Sequence, residues 1–547
     1  MGLRQTLITA LPGALLLTAA LLLSACGGGE SNVAAGNREQ ILHFGNGTEP
    51  QELDPHIVTG VPESNIINAL LEGLVAKDPE TLEPIPAVAE SWEISDDGKT
   101  YTFHLRKNAR WSNGDPLTAE DFAWSWWRAL QPALGNLYAY MLFPVANAEA
   151  YANGEIEDFS QVGVKALDDH TLRVQLTNPT PYFLQLLDHY SAYPLHRATI
   201  ESFGAADERG TRWTRAGNYV GNGPFVLDSW KLNKIITVRK NPHYWDADKV
   251  RLNGIDFHPI ENIATEERMF RAGQLHITGT IPIDKIALYQ RQQPELLQVE
   301  PYLGTYYYRF NLKLPQLQDQ RVRRALNLAI DRQAIVERVT KGGELPAASF
   351  TPPDTMGYTA TSDLRFDPEE ARRLMAEAGY PDGKGFPVTD LLYNTSEGHQ
   401  KIAVAIQQMW NKYLNINIRL NNQDWKVFLS SVNLGQYGIA RAGWIGDYVD
   451  PNTFLDMWVT GGGNNQTGWS NARYDEIILK LAPATADPEA RYTLMREAEA
   501  ILLDELPVIP LYIYTSKSLI HPSVHGAPGN LMDHILYKNV WLENDAG

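Results

Sequence analysis

The chain has a single cysteine, Cys26, placed at the end of an apolar leader that reads MGLRQTLITALPGALLLTAALLLSAC. One basic residue, Arg4, precedes a Leu/Ala-rich run that closes on small residues, the pattern of a secretory signal removed from the mature chain. An exported chain with one thiol can form no internal disulfide and no cysteine-based zinc site. What folds after the leader must therefore be held by packed cores alone. With 547 residues those cores are several, and length points to roughly three or four domain-sized units.

The sequence LSAC resembles the bacterial lipobox, in which cleavage leaves the cysteine as first residue and lipid is attached to its thiol. Residues 1–25 are thus expected to be a signal peptide, and 26–39 a lipidated Cys26 with a flexible tether containing GGGESNVAAGN. No later stretch is long and apolar enough to span a bilayer. The formal charge is −18, and loss of Arg4 with the leader makes the mature chain −19. That balance argues against a nucleic-acid partner, whose phosphates most of the surface would repel. Fourteen tryptophans and 25 tyrosines are many, and suit either core packing or an aromatic-lined pocket.

Periodicity supplies the organisation. QILHFGNG alternates as a first strand from Gln40, and VPESNIINALLEGL carries Ile67, Leu70, Leu71 and Leu74 at helical spacing, with Ser64 as candidate cap. SWEISDDGKTYTFHL is a hairpin around Asp97-Gly98. LTAEDFAWSWWRAL opens with Thr118 and has Asp121 three residues on, a capping box before an amphipathic helix. Further hairpins are expected at VKALDDHTLRVQL and FVLDSWKLNKIITVRK, and helices at QRVRRALNLAIDRQAIVERV, PEEARRLMAEAGY and HQKIAVAIQQMWNKYL, the last leading into a buried strand at NINIRL. Strands and helices intermix, which gives an α/β or α+β class with several sheets.

Catalytic templates find little here. There is no HExxH, no G-x-S-x-G and no cysteine nucleophile, and DDGKT lacks the leading glycine of a phosphate loop. Asp96 and Asp97 lack the spaced ligands of a calcium loop. No enzyme, cofactor or metal is expected, although a peptidase assembled from distant His and Asp residues stands as a remote alternative.

An ordered set of stretches resembles the extracytoplasmic solute-binding proteins of peptide ABC importers (family 5), in particular the oligopeptide-binding branch. They are LDPHIVTGVPESNI (53–66), AESWEISDDGKTYTFHLRKNARWSNGDPLTAEDF (89–122), VKALDDHTLRVQL (164–176), NPHYW (241–245), GTYYYRFN (304–311), RVRRALNLAIDR (321–332), LLYNTSEGHQKIA (391–403), NQDWKVFL (422–429) and RAGWIGDYVDPNTFL (441–455). The resemblance implies an α/β, two-lobed periplasmic-binding-protein fold (class II type) with an extra inserted subdomain, its lobes joined by two crossing strands. Lobe I would be 40–71 and 197–303, the insertion 72–196, lobe II 304–512, and 513–547 a C-terminal return to lobe I. GTYYYRFN would start the first crossing and YIYTSKSL the second.

The implied function is a lipid-anchored receptor of the bacterial cell envelope that captures short peptides by cleft closure. It would deliver them to ABC permease and ATPase subunits, acting as a monomer on the periplasmic or extracytoplasmic side. Such a protein grips the peptide backbone by strand addition and leaves room for varied side chains. By the resemblance, Asp447 pairs with the peptide's α-amino group; on the residues alone, it also suits a turn cap before Asp450-Pro451. Val61, Gly443 and Ile445 would offer backbone groups. Arg441 and His399 match basic positions that meet the peptide's terminal carboxylate. Tyr138, Trp425, Trp444, Tyr307 and Tyr514 would line pockets or cleft, with core packing as the alternative for each.

Three departures from the family pattern stand out. Thr59 replaces a frequent glutamate. Thr340 falls where a lysine is expected, with Lys341 one place later. Gly304 and Ile445 occupy positions that are a cysteine pair in some relatives. The rival readings are a narrower ligand (a murein peptide, a dipeptide or a metal complex) and a peptide sensor built on the same fold.

Overall fold

A computed structural model describes residues 30–360, 362–485 and 487–544. The expected signal peptide and Cys26 lie outside these residues. The first described element is a helix, α1 (Asn32–Glu39), within the stretch expected to be tether. Ser31 Oγ caps it by accepting from Ala34 N (3.1 Å), and Val33 and Asn37 are buried against the body of the protein. Strand β1 (Ile41–Gly45) follows. Helix α2 (Val61–Leu70) starts one turn earlier than Ser64, because Pro62, which has no N–H to leave unpaired, sits in its first turn behind Gly60.

Four strands then build an antiparallel sheet: β2 (Ala89–Ile94), β3 (Thr100–Leu105), β4 (Val164–Asp168) and β5 (Thr171–Gln175), in the order β2-β3-β5-β4. Helix α3 (Ala119–Ala129) packs on it, with the Thr118/Asp121 capping box formed at its start. From α3, Arg128 reaches back to Asp54 in a buried bidentate ion pair (2.6 and 3.0 Å), which pins this region to the loop after β1.

The chain returns with β6 (Phe225–Lys231), β7 (Ile235–Lys240) and β8 (Gly254–His258), which join β1 in the order β1-β8-β7-β6. Only β1 and β8 are parallel. Beside two small two-stranded ribbons (Val75–Lys77 with Pro84–Pro86, Val524–His525 with Trp541–Leu542), the other strands are β9 (Leu297–Phe310), β10 (Leu345–Pro346), β11 (Thr389–Asn394), β12 (Ile418–Gln423), β13 (Ile439–Ile445) and β14 (Val508–Leu519). They form a six-stranded sheet ordered β10-β14-β9-β13-β11-β12. Strand β12 is therefore an edge, half-exposed, and not the buried strand its apolar start suggested.

Two long strands join the lobes. Residues 304–310 of β9 pair with β13 inside the six-stranded sheet, whereas 297–301 pair with 515–519 of β14 beyond it. There Leu519 N donates to Thr278 Oγ1 and Ile520 N to Leu296 O, and Ile277 bridges both Phe44 of β1 and Ile520. The chain thus crosses between two lobes along β9 and back along β14. Under the six-stranded sheet, Tyr306, Tyr308, Phe310 and Ile439 pack against Ile402, Ile406 and Trp410 of helix α4 (Glu397–Leu414). A shorter helix, α5 (Trp425–Asn433), follows β12 and is capped by Asp424.

Candidate functional site

The open edge of β13 is the centre of the site. Strand β11 pairs with β13 only at Ile439 and Ala440, so the stretch from Arg441 to Ile445 has β9 on one side and no strand on the other. Bonds from Asn311 N to Gly438 O and from Gly446 N to Leu303 O fix the alternation between them: even-numbered residues bond β9. Arg441, Gly443 and Ile445 accordingly turn their N–H and C=O groups to the open side. That side faces a cavity of about 680 Å³ between the lobes. At Gly443 a Cβ would collide with the Tyr514 hydroxyl, so glycine is what lets Tyr514 and Arg441 close over the strand.

Past the strand end the chain turns, and Asp447 N donates to Thr453 Oγ1 (3.0 Å). The Asp447 carboxylate is buried: Oδ1 stands 3.6 Å from His189 Nε2, and Oδ2 accepts no hydrogen bond. Burial pushes its pKa up to about 8, against the opposing charge of Lys77. Lys77 is committed elsewhere. Its ammonium pairs with Asp188 (2.6 Å) and donates to the backbone O of Asp447 (3.3 Å). Burial, and then Lys77, hold His189 well below the ordinary histidine range, so it is a neutral imidazole beside the acid. Burial thus favours the neutral acid here, and among the described residues no ammonium or guanidinium pairs with its oxygens.

Arg441 lies at the other end of the edge. Its guanidinium donates to Asn394 Oδ1 (3.2 Å) and Tyr514 OH (3.0 Å) and lies 4.9 Å over the Tyr306 ring, and its Nε has no partner. It forms no ion pair with any described residue. His399, in the first turn of α4, lines the cavity beside Tyr306, with Nδ1 3.4 Å from the Tyr306 hydroxyl. Burial and then the Arg441 charge lower its pKa well below the usual value, so Arg441 carries the charge at this end.

Ten of the eleven residues singled out from the sequence stand on the cavity wall: Asp447, Arg441, His399, Val61, Gly443, Ile445, Trp444, Trp425, Tyr138 and Tyr514. Val61 is half-exposed at the first position of α2. Trp425, opening α5, stands against Gly60 of the facing lobe (3.2 Å from the place of a Cβ). Tyr138 packs 4.5 Å from His189 and 6.3 Å from Trp444. Tyr307 is the exception. It is fully buried, edge-on to Phe350 (5.0 Å) and Trp458 (5.7 Å), because its face of β9 is covered by a second core.

The departures from the family pattern have structural counterparts. Thr340 is on the wall and donates to Glu344 (2.8 Å), but Lys341 is exposed and takes no part in the cavity. The cation at this place is Lys517 of β14, paired with Glu344. Thr59 is also on the wall. Gly304 and Ile445 are direct cross-strand partners, and the Ile445 side chain fills the space over the glycine. Lys77, Asp188, His189 and Arg309 also line the cavity and were not singled out. For Arg309 a signal existed, since GTYYYRFN places it two residues from Tyr307 on one strand face.

A family model described as bacterial extracellular solute-binding proteins, family 5 Middle, matches residues 83–466. The periplasmic oligopeptide-binding protein OppA of Salmonella typhimurium is 39% identical over 95% of this chain and 96% of its own. Haemophilus influenzae OppA, solved in complex with RPPGFSPFR, superposes with a TM-score of 0.88 at 37% identity, over 92% of this chain and 99% of that one. The murein tripeptide-binding protein MppA of Escherichia coli gives 0.87 at 37% identity, covering 92% and 98%. Its unliganded open form gives only 0.63 at the same identity, over 92% and 97%. The lobes of the present structure therefore stand in the shut arrangement.

Proposed function

The chain belongs to the bacterial extracellular solute-binding proteins, family 5, and from that premise we propose that it captures short oligopeptides between its lobes and delivers them to an ABC permease. The observation that carries this reading is the open edge of β13, which runs from a cation without a carboxylate partner, Arg441, to a buried acid without a cation, Asp447. A peptide has the complementary parts: a backbone that can add as a strand, an ammonium at one end and a carboxylate at the other. A cation beside Asp447 favours the carboxylate that burial otherwise keeps protonated, and a carboxylate beside Arg441 supplies the partner it lacks, so the shut state favours a ligand that brings both. Closure is then a population shift driven by contacts made only when the lobes meet. The protein binds and releases; it makes and breaks no bond.

The same reading assigns lobe I to 40–71 and 197–303, the insertion to 72–196, lobe II to 304–512 and the C-terminal return to 513–547. It also places a lipid on Cys26, which holds the protein to a membrane of the bacterial cell envelope, on the periplasmic or extracytoplasmic side. No helix among the described residues is long and apolar enough to cross one.

Native mass spectrometry of the purified protein, with sequencing of what denaturation releases, tests the reading. A family of short peptides of similar length and varied sequence is expected. A single defined compound would replace it with the narrower-ligand reading.

A further inference from the structure

Two arginines stand on the cavity wall, Arg441 and Arg309, and neither forms an ion pair with a described residue. They lie on opposite faces of the β9–β13 pair. Arg441 is directly across from Tyr308 and lies over Tyr306, on the face that carries Tyr514 and His399. Arg309 shares the other face with Tyr307, Ala442 and Trp444, since Tyr307 pairs with Ala442 and Thr305 with Trp444.

Arg309 is held but not neutralised. Its Nη1 donates to Gln466 Oε1 and its Nη2 to the Tyr307 hydroxyl (3.1 Å), both neutral acceptors. Its Nε is buried without a partner. A guanidinium has five N–H donors in a fixed fork, so donors remain for a carboxylate. Gln466 and Tyr307 act here as positioning residues that fix the plane of the fork from behind.

A strand added to the open edge of β13 sends alternate side chains to these two faces. Its single terminal carboxylate can neutralise one arginine. The other needs a second carboxylate, and Arg309 lies on the face to which alternate ligand side chains point. We infer that Arg309 is a specificity determinant that selects peptides carrying an acidic side chain, Asp or Glu, at the position directed to the Ala442/Trp444 face. The inference rests on the peptide-binding reading above and adds a preference that the backbone contacts alone would not give.

The test uses the mature protein, stripped of bound peptide by denaturation and refolding, and alanine-based tripeptides with Glu or Gln placed at each of the three positions in turn. Isothermal titration calorimetry gives the ratio of dissociation constants, Gln over Glu, at each position. One position is expected to favour Glu by about tenfold or more in the wild type, falling to about twofold or less in Arg309→Gln and surviving in part in Arg309→Lys. A wild-type ratio near one at all three positions overturns the inference without any variant, as does a preference that persists in Arg309→Gln. Failure of every peptide to bind, the neutral ones included, overturns the peptide reading itself and this inference with it. Binding of neutral peptides without a Glu preference overturns this inference alone.

Discussion

Arg441 and Asp447 stand at opposite ends of one open strand edge, six positions apart: a guanidinium with no carboxylate partner, and a buried acid that faces the neutral His189. At about 3.3 Å per extended residue six positions span at most about 20 Å, and the turn after Ile445 and the long Arg441 side chain shorten the span a ligand must bridge. On the proposed reading the two groups would set a ruler for short peptides.

Removing the acid should separate ligands by their amino terminus. Asp447→Ala is expected to weaken free-amine peptides by about 2–5 kcal/mol, as for other desolvated charge pairs. Peptides acetylated at the N-terminus should lose little. Calorimetry on matched pairs decides; equal loss for both would make Asp447 a structural turn residue.

The same acid should couple closure to pH. Burial raises its pKa to about 8 in the shut form, whereas solvated in an open form it would titrate near the usual carboxylate value, about 4. Between these limits the shut form holds a proton that the open form lacks, so falling pH favours shutting of the empty protein. Neutral His189 and His399 oppose this below about pH 6.5, where they would charge if solvated. The comparison with Asp447→Asn isolates the acid. Small-angle scattering of unliganded protein from pH 8 to pH 6.5 should show the wild type becoming more compact relative to that variant.

Gly443→Ala tests the strand edge directly. The added methyl meets the Tyr514 hydroxyl and comes within 3.3 Å of the Arg441 guanidinium, so both must shift. Overpacking of this kind costs about 1–3 kcal/mol. The melting temperature should fall modestly, and peptide affinity should fall with it, read by thermal unfolding and calorimetry on the same sample.

A control away from the cleft is the buried Arg128–Asp54 pair. Arg128→Met leaves the acid buried and uncompensated, which costs about 3–5 kcal/mol. Urea unfolding should register that loss, while the affinity of the still-folded protein for a neutral peptide should stay close to wild type.

What the sequence made legible was local. The hairpins announce their own turns, as at Gly98, whose φ of 69° suits the glycine after Asp96 and Asp97. Helix α3 carries both halves of its capping box. Helix α1 was hidden, because an eight-residue helix gains little from propensity alone and depends on docking. Its Val33 N bonds Gly273 O and its Asn37 takes bonds from His276 and Ser523, partners more than 200 residues away. For Tyr307 the sequence leaves cleft and core both open, and the structure puts it in the core. Alternation tells which residues share a face of β9, but not which stretch of that face a core covers. The Lys517–Glu344 pair joins residues 173 apart, a distance across which no local pattern speaks.

Helix α1 also sets how far the receptor can stray. With lipid on Cys26, only residues 26–30 precede the Ser31 cap, and five residues span at most about 18 Å. Because α1 is clamped to the lobe built on β1, a lipid there would keep that lobe within arm's reach of the bilayer, whatever the cleft is doing. A protein so anchored would search for its permease by gliding in two dimensions along the lipid, instead of by ranging freely through the surrounding space.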